Sequence, residues 1–223
     1  MVPEPVIMAW SGGKDSALAL FEAKKNPSYR VSSLLTTVTE DYDRISMHGV
    51  RCALLERQAQ ALGLPLHQVL IPKDCPNPVY EEKMKSAMLE FKARGIVKVA
   101  FGDIFLEDLR QYREQNLARL GMSALFPIWK QETKTLAQTF IAQGFQAIIA
   151  CVDSNYLDPK FSGALYDRDF LAAIPPAVDP CGENGEFHSF VFAGPIFPEP
   201  IPFRKGEVVL RENRFAFCDL LPG

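Results

Sequence analysis

The sequence predicts an α/β protein built on a five-stranded parallel sheet, followed by a smaller C-terminal α+β region. Three observations lead there. Short apolar runs rich in β-branched residues alternate with amphipathic helical runs up to residue 152; a Gly-Gly turn joins the first such run to the first helix; and after Asp153 prolines become frequent and helices shorten. Strand–helix alternation at this spacing gives right-handed crossovers and a parallel sheet.

Val6-Ile7-Met8-Ala9 is the first strand, and Trp10-Ser11-Gly12-Gly13-Lys14-Asp15-Ser16 leads into a helix running from Ala17. Ala17, Leu18, Leu20 and Phe21 form its apolar face, and Asn26-Pro27 ends it. Residues 31–38 read as a buried parallel strand, whose carboxyl end Leu35-Thr36-Thr37 falls where an open α/β sheet holds ligands. A polar loop over 40–48 precedes a helix over 51–62, with Leu54, Leu55, Gln58, Ala61 and Leu62 near one face and Gly63 as its stop. Residues 66–71 form the next strand, in which His67 reads as structural. A proline-rich break at 72–78 leads to a helix over 79–94, and the strand at 97–101 runs directly into Gly102-Asp103. The helix over 107–120 turns Leu109, Leu117 and Leu120 inward. Leu125-Phe126-Pro127-Ile128-Trp129 reads as the exit from a first domain assigned to 1–128; a helix over 134–143 follows, and 147–152 is expected to complete the parallel sheet as its fifth strand. The substrate region, 129–223, holds a helix near 167–173 and β runs at 186–193, 208–211 and 214–218, the last two joined by a hairpin turn at Glu212-Asn213.

Composition narrows the function classes. A net charge of −3, from 24 basic and 27 acidic residues, provides no broad basic field, so a nucleic-acid partner is disfavoured. The first residues carry no basic n-region and the apolar run after them is too short to span a bilayer, so a cytoplasmic protein without a membrane partner is expected. The five cysteines are widely spread and never form a Cys-x-x-Cys pair, which argues against structural zinc, an iron–sulfur site or a disulfide framework. A homo-oligomer stays open.

The Gly-Gly turn carries the chemistry. Glycines turning sharply out of a strand leave backbone N–H groups uncovered, the helix that follows contributes roughly half a positive charge, and Lys14 adds a full one, so an anion suits this place. A Walker A loop would need glycine where Met8 stands and Ser or Thr where Asp15 stands; a dinucleotide fingerprint would need glycine where Lys14 stands. Ser-Gly-Gly-Lys-Asp-Ser instead resembles, without mismatch, the loop of the ATP pyrophosphatases, the PP-loop family. Members of that family split ATP between its α and β phosphates, adenylate a carbonyl or carboxylate oxygen, and let a nitrogen or sulfur nucleophile displace AMP. The resemblance implies the adenine nucleotide alpha hydrolase (HUP) type of sheet, with ATP held by Ser11, Gly12, Gly13, Lys14, Asp15 and Ser16 and its adenine against backbone near Thr36. Sulfur-transferring relatives tend to use paired cysteines, so thiolation is disfavoured here.

Four further residues are candidates around that nucleotide. His48 faces it, or else leads into the next helix and faces solvent. Gly102-Asp103 lies at the carboxyl end of a parallel strand, where Asp103 holds magnesium, a ribose or a substrate group, or serves as a helix cap. Of Arg110 and Arg113 in the following helix, Arg110 is the candidate for phosphate or carboxylate, against pairing with Glu114 on an exposed face. Asp15 and Asp103 are the candidate magnesium ligands.

A second constellation, Asp179-Pro180-Cys181-Gly182-Glu183-Asn184-Gly185-Glu186-Phe187-His188-Ser189-Phe190, gathers two glutamates and a histidine about an Asn-Gly turn. In an extended strand Glu186 and His188 share a face. Together with the N-terminal loop and Gly102-Asp103, this segment resembles the diphthine–ammonia ligase family, over nearly the whole chain. Those enzymes use ATP and ammonium to amidate diphthine on a histidine of elongation factor two. Their segment reads Glu-Gly-Gly-Glu-Tyr/Phe-Glu-Thr; Asn184 replaces its first glycine and His188-Ser189 its last pair, a form similar to bacterial members of the wider family. The resemblance implies an ATP-dependent ligase that turns a small-molecule or protein-borne carboxylate into an amide through an acyl-adenylate, releasing AMP and pyrophosphate. Lys14 would stabilise the leaving pyrophosphate, and Glu183, Glu186 and His188 would orient the carboxylate and take a proton from ammonia. The rival readings are a PP-loop enzyme that modifies tRNA and a module that binds ATP or AMP without chemistry.

Overall fold

The computed structural model describes residues 2–45 and 49–223. Its first half is β1 (Glu4–Ala9), α1 (Lys14–Lys25), β2 (Tyr29–Thr39), β3 (Arg44–Ile45), α2 (Cys52–Leu62), β4 (Leu66–Ile71), α3 (Asn77–Ala93), β5 (Lys98–Ala100), α4 (Glu107–Arg119) and β6 (Ser123–Leu125). The second half is α5 (Thr133–Ala142), β7 (Gln146–Asp153), α6 (Arg168–Ala173), β8 (Phe187–Ala193), β9 (Phe203–Arg211) and β10 (Phe215–Pro222).

Parallel pairing joins β4 to β2, β2 to β1, β1 to β5 and β5 to β6, with the short β3 antiparallel to the end of β2. The chain works outward from β1 in one direction through β2 and β4, then returns to the other side of β1 with β5 and β6. That reversal leaves a crevice at the carboxyl end of β1, the place where open α/β sheets hold ligands. The Gly-Gly turn leaves β1 there.

Five parallel strands are present as expected, but the fifth is β6 and not the run near 147–152. That run, β7, lies inside an antiparallel sheet in the order β8-β7-β10-β9. A continuous apolar run is written the same way for a buried parallel strand and for a central antiparallel strand covered on both faces, and Ala147 to Asp153 is buried throughout. The true fifth strand has only three residues with no buried one among them, so nothing in its pattern announces it. The Glu212-Asn213 turn is as expected; both residues take left-handed φ values, 53° and 49°, and β9 pairs with β10 on either side of them.

One face of β1, through Val6 and Met8, joins α1 and α2 to β7, β8 and β10 in a continuous apolar cluster. Its other face, through Ile7, packs with Val99 of β5, Ala87, Met88 and Phe91 of α3, and Leu117 of α4. The alternation of a strand thus puts both sheets on one core and leaves α3 and α4 to cover the far side.

Polar contacts rivet the two sheets where they meet. Gln58 of α2 is fully buried; its Nε2 donates to the carbonyls of Gly12 (3.1 Å) and Val191 (2.6 Å), and its Oε1 accepts from Trp10 Nε1 (3.0 Å). Val191 N–H of β8 donates to the same Gly12 carbonyl (2.9 Å). At the edge, Asp219 of β10 accepts from Arg51 (3.0 and 2.7 Å) and Arg44 (3.0 Å), which holds its carboxyl down to about 2.

Gln58→Met keeps the volume but strands the Trp10 N–H and the Val191 carbonyl in a dry interior. We expect a loss of about 3 kcal/mol in unfolding free energy by urea titration, with an unchanged m-value. A loss below about 1 kcal/mol would mean that the seam relaxes around the missing bonds.

Candidate active site

A cleft of about 410 Å³ opens at the crevice, bounded by the ends of β1, β2 and β5, by α3 and α4, and by the turn before β8 (Gly182, Glu183 and Gly185) and the start of β8 (Phe187, His188 and Ser189). Its centre is the turn after β1. Gly12 takes φ +74°, and a Cβ there would meet Gln58 Oε1 at 2.6 Å and Leu55 Cδ1 at 2.7 Å, so both conformation and space demand glycine. Gly13 is the extended residue preceding α1 and has no side chain to cap it. The first amides are satisfied from elsewhere: Gly13 N–H donates to Ser11 Oγ (3.3 Å), and Lys14 N–H to Ser189 Oγ (3.1 Å) in β8. With its cap supplied by another strand, α1 begins at Lys14, three residues before the expected start.

Lys14 is only 4 % exposed. Its Nζ lies 2.8 and 2.7 Å from the two carboxylate oxygens of Asp15, and 5.5 and 5.8 Å from the ring centres of Phe187 and Tyr166. Burial works against its charge, but the Asp15 carboxylate outweighs this and holds its pKa above the ordinary lysine value. Ser16 Oγ donates to the Gly13 carbonyl (2.9 Å) and lies 3.2 Å from Ser11 Oγ.

From β5, Gly102 runs against the first turn of α1. A Cβ on it would fall 2.8 Å from the Asp15 carbonyl carbon and 2.9 Å from Ser16 N, backbone atoms that cannot swing aside. Asp103 beside it is gripped by Arg113, whose Nε and Nη2 donate to its two oxygens at 2.6 and 3.2 Å while the guanidinium covers the Phe101 ring.

The acidic turn divides its labour. Glu186 is 2 % exposed, and its carboxylate accepts from Asp179 N, Asn184 N and Asn184 Nδ2, each at 3.0 Å; it holds the turn together from below. Glu183 reaches across to the first sheet, where its Oε1 accepts from Ile104 N (2.7 Å) and Phe105 N (3.4 Å). Enclosure raises its pKa to about 7; the two amides oppose the shift, and the Asp15 charge adds to it. His188, lining the cleft from β8, is pushed down to about 4 by enclosure and then by the Lys14 charge, so it is neutral at pH 7. Burial lifts the Cys181 thiol to about 12, which keeps it protonated, with Sγ against the Thr133 carbonyl.

The cleft therefore gathers Ser11, Gly13, Lys14, Asp15, Ser16, Thr36, Gly102, Asp103, Glu183 and His188. Gly12 stands behind it through its backbone, and Glu186 lies beneath it. Arg110 is elsewhere: it stacks on Trp129 (4.8 Å) and Phe126 (5.0 Å) and donates to Glu114 (2.9 Å). His48 lies outside the described residues. Three residues that sequence reasoning did not select matter here: Arg113, Ser189 and Tyr166. For Arg113 a signal existed, since Glu114 stands four residues after Arg110 and offers it a surface partner on the helix. Ser189 and Tyr166 had none, because their roles arise from contact with Lys14. Among the described residues no group of three or more His, Cys, Asp or Glu could hold a metal ion, and no helix is long and apolar enough to cross a membrane.

The chain matches the family model for the diphthamide synthase N-terminal domain over residues 4–124 and that for the diphthamide synthase C-terminal domain over residues 132–219. It is 27% identical over 221 residues to diphthine–ammonia ligase of Bos taurus, covering 89% of this chain and 82% of the relative. Diphthine–ammonia ligase of Homo sapiens is 25% identical over 222 residues, 90% of this chain and 83% of the relative. That of Danio rerio is 24% identical over 226 residues, 91% and 88% respectively.

Gly102→Ala tests the close approach of β5 to α1. The added methyl must push two backbones apart, so the melting temperature is expected to fall by about 5 °C, for a cost of roughly 2 kcal/mol. An unchanged melting temperature would show that the strand end is free to shift.

Proposed function

We infer, for a chain that belongs to the diphthamide synthase family over both of its domains, that the protein is an ATP-dependent ligase joining ammonia to a carboxylate. The observation that carries this reading is the meeting of Lys14, at the start of α1, and Glu183, in the turn before β8, in one cleft at the carboxyl end of β1. A cation at a helix N-terminus suits a polyphosphate, and a carboxyl group poised near neutrality suits proton transfer beside it.

In this reading the triphosphate of ATP lies along residues 11–16, where phosphate oxygens take the amides of Gly13 and Lys14 from the hydroxyls that now accept them. The adenine lies toward Thr36. A carboxylate oxygen of the acid attacks the α-phosphorus, the bond to the β-phosphate oxygen breaks, and pyrophosphate leaves with its growing charge met by Lys14 and the helix dipole. Ammonia then attacks the acyl carbon, AMP departs with the former carboxylate oxygen, and the proton lost from nitrogen passes to Glu183 or to neutral His188. Glu186 acts as a positioning residue, fixing the turn that carries Glu183. Phe187 and Tyr166 keep water from Lys14.

Magnesium fits in part. Both oxygens of Asp103 are engaged by Arg113, whereas Asp15 opens onto the cleft and is held by a lysine that a phosphate would draw away. Asp15 would thus share the ion with the nucleotide's own oxygens, and the ion would supply charge neutralisation there. Ammonia comes free or from a partner, and the acid is small or protein-borne.

The test is release of AMP and pyrophosphate from ATP with ammonium and a panel of acids, including diphthine-bearing elongation factor. Lys14→Ala should lower the rate by about a hundredfold or more, and unchanged amide formation would overturn the mechanism. Because Glu183 is a base only above its raised pKa, the rate at a fixed concentration of free ammonia should climb as pH rises through about 7. Glu183→Gln should remove that rise; if the rise persists, another group is the base.

A further inference from the structure

A second cavity, about 420 Å³, adjoins the first, and Ile45 and His188 line both. The two meet at those residues. The first is of the size that takes one nucleotide-sized ligand, so an acid reacting there must keep the rest of its body elsewhere, and the second cavity is the adjoining space. It is walled by the rings of Tyr42, Phe215 and Phe217, with Arg211 and Glu212 at the tip of the β9–β10 hairpin.

Its charges are not equivalent. Arg44 and Asp219 cancel one another: Arg44 donates to the Gly49 carbonyl (2.7 Å) and to Asp219 (3.0 Å), and Arg51 takes both oxygens of that carboxylate. Arg211 instead holds its guanidinium 5.5 Å from the Tyr42 ring centre and 5.7 Å from that of Phe217. Among the described residues its close contacts are these rings and not a carboxylate. Contact with the rings leaves its N–H groups to an anion, and the guanidinium competes with a substrate cation for the rings.

We propose that this second cavity holds the acid to be activated, and that the acid bears, beyond its reacting carboxylate, a flat apolar body and a second carboxylate gripped by Arg211. The inference rests on the ligase reading and names its substrate class. The reacting carboxylate enters the first cavity past His188, the body lies along Ile45, Val209 and the ring surface that the arginines leave open, and Arg211 sets its sign.

Three matched probes test it by calorimetric titration of the full chain with the non-cleavable α,β-methylene analogue of ATP present: 4-carboxyphenylacetate, 4-methylphenylacetate and 4-(trimethylammonio)phenylacetate. The diacid should bind at least about tenfold more tightly than the methyl compound, as a charge-assisted bidentate pair allows. Arg211→Gln should erase that difference while leaving the affinity for the ATP analogue unchanged, which also shows that the variant is folded. Equal binding of diacid and methyl compound, a preference that survives Arg211→Gln, or tightest binding of the trimethylammonium compound would each overturn the proposal; the last would assign the cavity to a cationic acid beside Glu212. Binding is read without turnover, so failure of the ligase reading, with no AMP from any acid, is a separate result from failure of this one.

Discussion

The carbonyl of Gly12 accepts two hydrogen bonds, from Gln58 of α2 and from Val191 of β8, and the rest of the molecule depends on that atom being held. A loop suited to an anion is a run of backbone whose amides must be able to open to a ligand, and buried backbone left without partners is costly. This loop resolves the conflict by anchoring its carbonyl side in the interior and lending its amides to hydroxyls, Ser11 and Ser189, that a stronger acceptor can displace. The second sheet is thereby part of the loop and not an appendage to it. Ser189, 175 residues from Lys14 along the chain, supplies the cap of the helix on which the site is built.

The same seam concentrates charge where a compact protein would avoid it. Lys14, Asp15 and Glu183 share a poorly solvated cleft with His188; enclosure by both sheets favours the neutral forms of Glu183 and His188, whereas the Asp15 carboxylate holds Lys14 charged. Glu183 is driven toward protonation and His188 toward neutrality, the pattern of perturbed groups that marks a candidate functional site. Contacts between elements fix the arrangement: Glu183 is tied to the Ile104 amide, Asp103 to Arg113, and Gly102 packs on the start of α1 with no room for a side chain.

Much of this was legible in the chain. The helices and parallel strands followed from periodicity because each buries one stripe or both faces, and the Gly-Gly-Lys turn was legible because its backbone needs and its charge are properties of adjacent residues. The failures share a form. The run near 147–152 was assigned to the wrong sheet because burial on both faces looks alike in either, and β6 was too short to carry a pattern. The contact of Arg113 with Asp103 was not foreseen, because two arginines one turn apart differ only in how their helix is rotated against Phe101 and Asp103.

By itself, then, the sequence determined the local chemistry: a turn suited to an anion, an acidic turn with a histidine after it, and the α/β alternation that sets the first at a strand end. Only the tertiary structure decided that the two turns face one another, that Glu183 and not Glu186 enters the cleft, and that His188 stands between two cavities. The physical reason is range. Dihedral preference, capping and side-chain period act over a few residues, whereas burial, desolvation and the pKa shifts they cause belong to surfaces that meet only after the second sheet has packed on the first.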